Sequence, residues 1–231
     1  MLFSILQLIR LPNIPTAISN VWAGAVIANY GKFPIPNILF GTVAAIALYG
    51  GSLTFNDYCD RNYDRVYNLK RPIPSCSVSA QTALLIAGTL LALGAASGFL
   101  ISLCGGVITC AIALSAVLYD GLLKMWFLPA IVSMGLCRGL VWALGLEAGG
   151  TIYGLMLLFP VAIFVYTAAL TAISRFEVEK PIFKKVVMGG ILLIPLIDGS
   201  IVFAYGYWWQ GLIVGMLIVP VVVLSKKFDM T

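Results

Sequence analysis

The sequence predicts an all-α polytopic membrane protein. It reads as a single transmembrane domain over residues 1–231, folded as a bundle of about eight spanning helices around a cavity open to the cytoplasmic side. Three observations carry this. Of the 231 residues, 61% are hydrophobic and only 10% are charged, with a mean hydropathy of +1.03; soluble domains carry about 25% charged residues. The apolar residues fall into segments of the length that one helical crossing needs, about 20 residues, and the chain has room for about eight such crossings. The few charges are also concentrated. Residues 52–79 hold three of the nine acidic and four of the fourteen basic residues.

Residues 1–13 read as an amphipathic lead-in. No basic segment precedes the apolar stretch, so a cleaved signal peptide is not expected. A first helix is predicted over 14–29, closed by the turn at 30–36. A second runs from about 37 into the charged stretch and stops near Asn68, because Pro72 and Pro74 bias the residues before them away from the helix. A third covers 78–101, Cys104-Gly105-Gly106 makes a turn, and a fourth covers 107–119 before a polar break that ends at Lys124. The fifth, 129–146, carries Arg138 in mid-segment. An arginine there is costly and points to a polar cavity or a partner. The sixth, 152–173, ends in Ser174-Arg-Phe-Glu-Val-Glu-Lys-Pro181. The seventh, 184–204, contains Asp198 near its far end. The aromatic run 205–209 reads as an interfacial belt, and an eighth helix covers 211–224.

With eight helices and the N-terminus inside, both termini and the loops after the second, fourth and sixth helices face the cytoplasm. Lys32 then falls outside, Arg138 lies within the membrane, and the other twelve basic residues are cytoplasmic, as the positive-inside rule favours. The net charge of +5 is therefore a topology signal in contact with membrane lipids, not a nucleic-acid footprint. The absence of histidine excludes histidine-based metal sites and histidine general bases. Five cysteines without C-x-x-C spacing form no disulfide framework.

The chemistry is expected at Asp57, Asp60 and Asp64. Their spacings of three and four place them within an arc of about 60° on one helix face, where like charges repel. A hard cation such as Mg2+ relieves that repulsion, prefers carboxylate oxygens, and keeps its other positions for water and phosphate. On a soluble helix such a run commonly just faces water. At the end of an apolar segment it is functional by default. Asp57 and Arg61 also form an attractive i, i+4 pair.

Asn56-Asp57-x-x-Asp60-x-x-x-Asp64 resembles the first aspartate-rich motif, N-D-x-x-D-x-x-x-D, of the UbiA superfamily of intramembrane prenyltransferases. Arg71-Pro72-Ile73-Pro74-Ser75 is similar to that family's R-P-[IL]-x-S segment, with Cys76 where the family commonly has Gly. Arg10-Leu-Pro-Asn13 resembles its R-x-x-N segment, although an interfacial anchor explains Arg10 equally well. Tyr119 to Lys124 resembles its Y-x-x-x-x-K segment; Lys124 either holds diphosphate or marks the cytoplasmic side. The second aspartate motif, D-x-x-x-D, is replaced by Glu177 and Glu179, which point about 200° apart on a helix. Glu177 is expected as the surviving ligand, with Glu179 paired to Arg175. The family usually has nine helices, so the bundle is expected to be UbiA-like without the ninth.

The resemblance implies Mg2+-dependent transfer of an isoprenyl chain from a prenyl diphosphate to a lipophilic or aromatic acceptor. Asp57, Asp60, Asp64 and Glu177 would hold metal and, with Lys124, form the catalytic set. Asn13, Asn56, Arg61, Arg65, Arg71, Tyr119, Arg138 and Arg175 would bind substrate. Tyr58, Tyr119, Trp142 and Tyr166 are candidate faces for an allylic cation, since aromatic rings attract cations. Three other readings stay open. They are a UbiA-like terpene cyclase, a non-catalytic UbiA-like protein that binds or translocates a lipophilic precursor, and an unrelated transporter. The clustering of charge on one side argues against the last.

Overall fold

Residues 2–150, 154–176 and 181–228 are described by the computed structural model, and every regular element among them is helical. A short α1 (Leu2–Leu8) and a 3-10 turn (Leu11–Asn13) lead into α2 (Ile14–Ala28). Next come α3 (Ile35–Cys59), α4 (Arg61–Tyr67), α5 (Ala80–Phe99), α6 (Leu103–Gly121) and α7 (Phe127–Gly149). The chain continues through α8 (Leu158–Ser174), α9 (Pro181–Ala204), α10 (Trp208–Gly215) and α11 (Ile218–Ser225). Seven helical segments of the described chain are long and apolar enough to cross a membrane. Their outer faces expose Leu85, Leu114, Val161 and Leu193 among many others, an apolar surface far larger than a soluble protein tolerates. The protein is an integral, multi-pass membrane protein.

The eighth expected helix is α2. Its 15 residues span only about 22 Å at 1.5 Å per residue, and thirteen of them are buried. It is the axis of the bundle. Ala23, Val26 and Ile27 pack with Trp142, Leu146, Ile163, Val202 and Val214, while Ala17 and Val21 pack with Ala44, Leu48, Ile112 and Leu144. The crossing of α2 and α7 is a contact of backbones. A Cβ on Gly24 would lie 2.7 Å from the Leu146 nitrogen, and one on Gly145 would lie 2.5 Å from the Val21 oxygen. Small residues at such crossings let helices gain dispersion contacts where no hydrophobic driving force exists in lipid. Around this axis α3 packs on α5, α7 on α6 and α8, and α9 on α10 and α2.

Several boundaries differ from expectation for local reasons. Ser79 caps α5 by accepting from the Thr82 N–H at 3.0 Å, so α5 starts two residues later than expected. Ser102 likewise accepts from the Gly105 N–H at 2.8 Å and starts α6 at Leu103. Cys104-Gly105-Gly106 therefore lies within the first turns of a helix and not in a turn between helices, because the cap satisfies an otherwise orphaned donor. The expected helix over 211–224 is interrupted between α10 and α11. Pro220 lacks the N–H that would bond the Met216 carbonyl, and its ring crowds that carbonyl.

Candidate active site

The site is built on the end of α3. Asp57 sits in its last turn. Asp60 (φ −84°, ψ 0°) joins α3 to α4, and α4 carries Asp64. The Asp60 N–H bonds the Asn56 carbonyl and the Asp64 N–H bonds the Asp60 carbonyl, both at 2.9 Å. Helical register thus continues through the joint and keeps the aspartates on one side. Asp57 and Asp64 are 4% and 1% exposed. Helix α4 ends at Asn68, as expected, and the Asn68 amide donates to Asp64 Oδ1 at 2.8 Å.

Each carboxylate meets a cation brought from elsewhere. Arg71 Nη1 lies 2.8 Å from Asp64 Oδ2 and 3.3 Å from Asp57 Oδ1. Arg10 Nη2 approaches Asp57 Oδ1 at 3.2 Å. The Arg10 backbone is left-handed (φ 46°, ψ 59°). That conformation is uncommon for a residue with a Cβ and costs on the order of 1–3 kcal/mol, a cost that clusters at functional sites. Lys124 Nζ is 2.5 Å from Asp60 Oδ1 and 3.8 Å from Asp120 Oδ1. Asp120, buried at the end of α6, also accepts from Asn56 Nδ2 at 2.5 Å. The sequence reading missed Asp120. Its only signal was an acidic residue one turn before Lys124 at the end of an apolar helix.

Six expected residues meet here: Asn56, Asp57, Asp60, Asp64, Arg71 and Lys124. Asn13 is buried at the start of α2, three residues past Arg10. Tyr119 is half-buried, within electrostatic reach of Arg175. Arg65 is exposed on α4 beside the buried Asp64, so it points away from the cluster. The expected Asp57–Arg61 pair does not form. Arg61 lies 4.2 Å over the Tyr58 ring and donates to the Tyr58 carbonyl at 2.7 Å, because the joint at Asp60 leaves Tyr58 nearer and Asp57 already has two guanidiniums. Glu177 and Glu179 lie outside the described residues.

Arg138 belongs to a second, deeper cluster. It donates to Thr16 Oγ1 (3.0 Å) and Asn20 Oδ1 (3.3 Å) and lies 5.1 Å over the Tyr49 ring. Asn20 Nδ2 in turn donates to Asp198 Oδ2 (2.7 Å), as does Ser19 Oγ (2.6 Å), while Trp142 Nε1 donates to Asp198 Oδ1 (3.0 Å). Asp198 is fully buried. The cluster ties α2, α7 and α9 together. It commits Trp142 to the core, and Tyr166 is similarly committed to the Gly190 carbonyl at 2.8 Å.

The carboxylate set fits a hard divalent cation. Arg71 marks a point of positive charge on which Asp57 and Asp64 converge. Mg2+ is commonly held by one or two carboxylates, with water and phosphate completing its shell. Among the described residues, no group of three acidic or cysteine side chains is gathered to hold an ion by itself.

The model of the UbiA prenyltransferase family matches residues 17–228. A digeranylgeranylglyceryl phosphate synthase of Ignicoccus hospitalis is 35% identical over 127 residues, 54% of this chain and 40% of its own length. A protoheme IX farnesyltransferase of Staphylococcus carnosus is 27% identical over 99 residues, 42% of this chain and 33% of its own. These matches span well under two thirds of the relatives' length. The structure of a UbiA homologue from Archaeoglobus fulgidus bound to DMAPP and Mg2+ superposes with a TM-score of 0.66 at 17% identity, over 98% of this chain and 88% of the other. The matched model covers nearly the whole bundle, and the superposition shows the same fold: this chain belongs to the UbiA prenyltransferase family.

Proposed function

We propose that the protein transfers an isoprenyl chain from a prenyl diphosphate to a lipophilic or aromatic acceptor, in a site at the cytoplasmic end of the bundle, with Mg2+ as cofactor. The observation that carries this is the meeting of four aspartates (Asp57, Asp60, Asp64 and Asp120) with Arg10, Arg71 and Lys124 at one end of the bundle. The family membership and the A. fulgidus homologue bound to DMAPP and Mg2+ support it.

In this reading Asp57 and Asp64 hold Mg2+, with Asp60 beside them and Glu177, later in the chain, as a further ligand. When bound, the metal neutralises charge on the diphosphate oxygens. Arg71 and Arg10, displaced from the carboxylates, turn to phosphate, which a guanidinium grips in bidentate fashion. Lys124 leaves Asp60 to neutralise the departing diphosphate. The apolar helices hold the isoprenyl chain and exclude water from the carbon that becomes cationic. Tyr119 is the aromatic candidate left, since the Tyr58 ring already carries Arg61.

The test is incubation of the purified protein in membranes with labelled prenyl diphosphates of several lengths, with Mg2+ and then with a chelator. Mg2+-dependent release of diphosphate with transfer to an added acceptor is expected. Release without an acceptor would mark a cyclase. Binding without release would mark a non-catalytic carrier, the reading that the departure of Glu177 and Glu179 from D-x-x-x-D favours.

A further inference from the structure

Asp120 holds two groups of the site at once. Its Oδ1 accepts from Asn56 Nδ2 at 2.5 Å, and the same oxygen lies 3.8 Å from Lys124 Nζ. It is 5% exposed and comes from α6, whereas Asn56 comes from α3, 64 positions earlier. An ionised carboxylate only accepts hydrogen bonds, so the half of the Asn56 amide that faces it must be the NH2. The other half, the carbonyl oxygen, is then the free end of a partly exposed side chain. It is bonded to no other group among the described residues. An amide oxygen is a hard ligand of the kind Mg2+ and phosphate-bound water accept; an amide NH2 is not.

We infer that Asp120 is a positioning residue. It fixes the Asn56 amide with its carbonyl oxygen turned to the site, and it keeps the Lys124 ammonium poised beside Asp60. The inference rests on the proposed Mg2+-dependent binding of a prenyl diphosphate. It adds a residue from a helix that bears none of the three motif aspartates. Lys124 sits 2.5 Å from Asp60 and only 3.8 Å from Asp120, so Asp120 holds the lysine in place without capturing it. Asp60 gives up the lysine when the diphosphate arrives, and Asp120 keeps the freed ammonium from swinging out to water.

Changing partners behind a metal ligand typically weakens metal binding about ten- to a hundredfold. The experiment titrates Mg2+ in the presence of dimethylallyl diphosphate and follows binding by calorimetry on the full chain, with thermal unfolding as a fold control. Asp120→Asn places an amide against an amide, frees Asn56 to flip, and should weaken apparent Mg2+ affinity about ten- to a hundredfold. The reciprocal pair Asn56→Asp with Asp120→Asn rebuilds the hydrogen bond with its direction reversed and keeps an oxygen turned to the site. It should restore affinity to near the wild-type value. If Asp120→Asn does not fold, the reciprocal pair decides alone. Wild-type affinity in Asp120→Asn, or failure of a folded reciprocal pair to recover, would overturn the positioning role while leaving the prenyl diphosphate reading intact. Absence of Mg2+-dependent binding in the wild type would overturn both.

Discussion

Two clusters of charge lie inside this bundle, built from the same kinds of side chain and arranged for opposite ends. At the end of α3, the side chains of Asp60, Lys124 and Arg71 are 30%, 21% and 26% exposed, and each carboxylate is matched by a cation on a long stem. In mid-bundle, Asp198 is 0% and Arg138 7% exposed. There the charges are bridged by Asn20, with Ser19, Thr16 and Trp142 taking up the remaining bonds. In the proposed function the first cluster exchanges its partners for a metal ion and a diphosphate. The second is closed, with every partner on a packed helix. Charge inside a membrane marks function only where the partners can be replaced; where they cannot, it holds helices in register.

The largest effect that would break this contrast is at Asp198. Asp198→Leu leaves Arg138 buried without a compensating charge, and breaking such a pairing costs about 3–5 kcal/mol. Thermal unfolding in detergent should show that loss, and little folded protein should survive. A stable Asp198→Leu variant would show that the deep cluster is not structural.

Asp57→Asn should do the reverse. It removes one partner of a partly buried ionic cluster at the site, and prenyl diphosphate affinity in the presence of Mg2+ should fall by about 2–5 kcal/mol, read by calorimetry. The fold should survive, because Arg71 keeps Asp64. Equal damage to fold and binding would erase the distinction between the clusters.

Lys124→Met removes one charge-assisted hydrogen bond, worth about 1.5–3 kcal/mol. It should weaken diphosphate binding at the low end of that range, because Arg10 and Arg71 remain. Isothermal titration with and without Mg2+ checks it, and an unchanged affinity would make Lys124 a topology signal only.

The smallest effect is expected at Cys76, whose φ of 58° lies in the left-handed region that disfavours a Cβ by about 1–2 kcal/mol. Cys76→Gly removes that strain but adds unfolded-state freedom worth about 0.5–1 kcal/mol. Unfolding in mild detergent should show a net stabilisation of at most about 1.5 kcal/mol, with no change in ligand binding.

What the sequence displayed depended on distance along the chain. The three aspartates and the break at Asn68 were legible because helix periodicity and proline act over a few residues. Cys76 was legible as a departure from the family's glycine, and its backbone angle supplies the reason. Asp120 and Asp198 were not, because their partners Asn56 and Asn20 lie 64 and 178 residues away and only packing brings them together. A trace of the second pair was present: one arginine and one aspartate, each alone in an apolar segment, are an expensive pair to leave apart. Helix α2 was expected as an ordinary span and proves to be the buried axis, which its glycine and alanine content reflects.

The partners of the site also set an order of assembly. Arg71 reaches Asp64 across seven residues and Asp57 across fourteen, whereas Lys124 reaches Asp60 across sixty-four. For a flexible chain, closing the longest of these loops costs about 2 kcal/mol more than closing the shortest. By loop length alone, the arginine half of the site can pair before α5 is made. The lysine half waits until α6 has been threaded. An inserting hairpin of α3 and α5 therefore carries Asp57 and Asp64 already quenched. Asp60 meets its own cation only when α6 is in place.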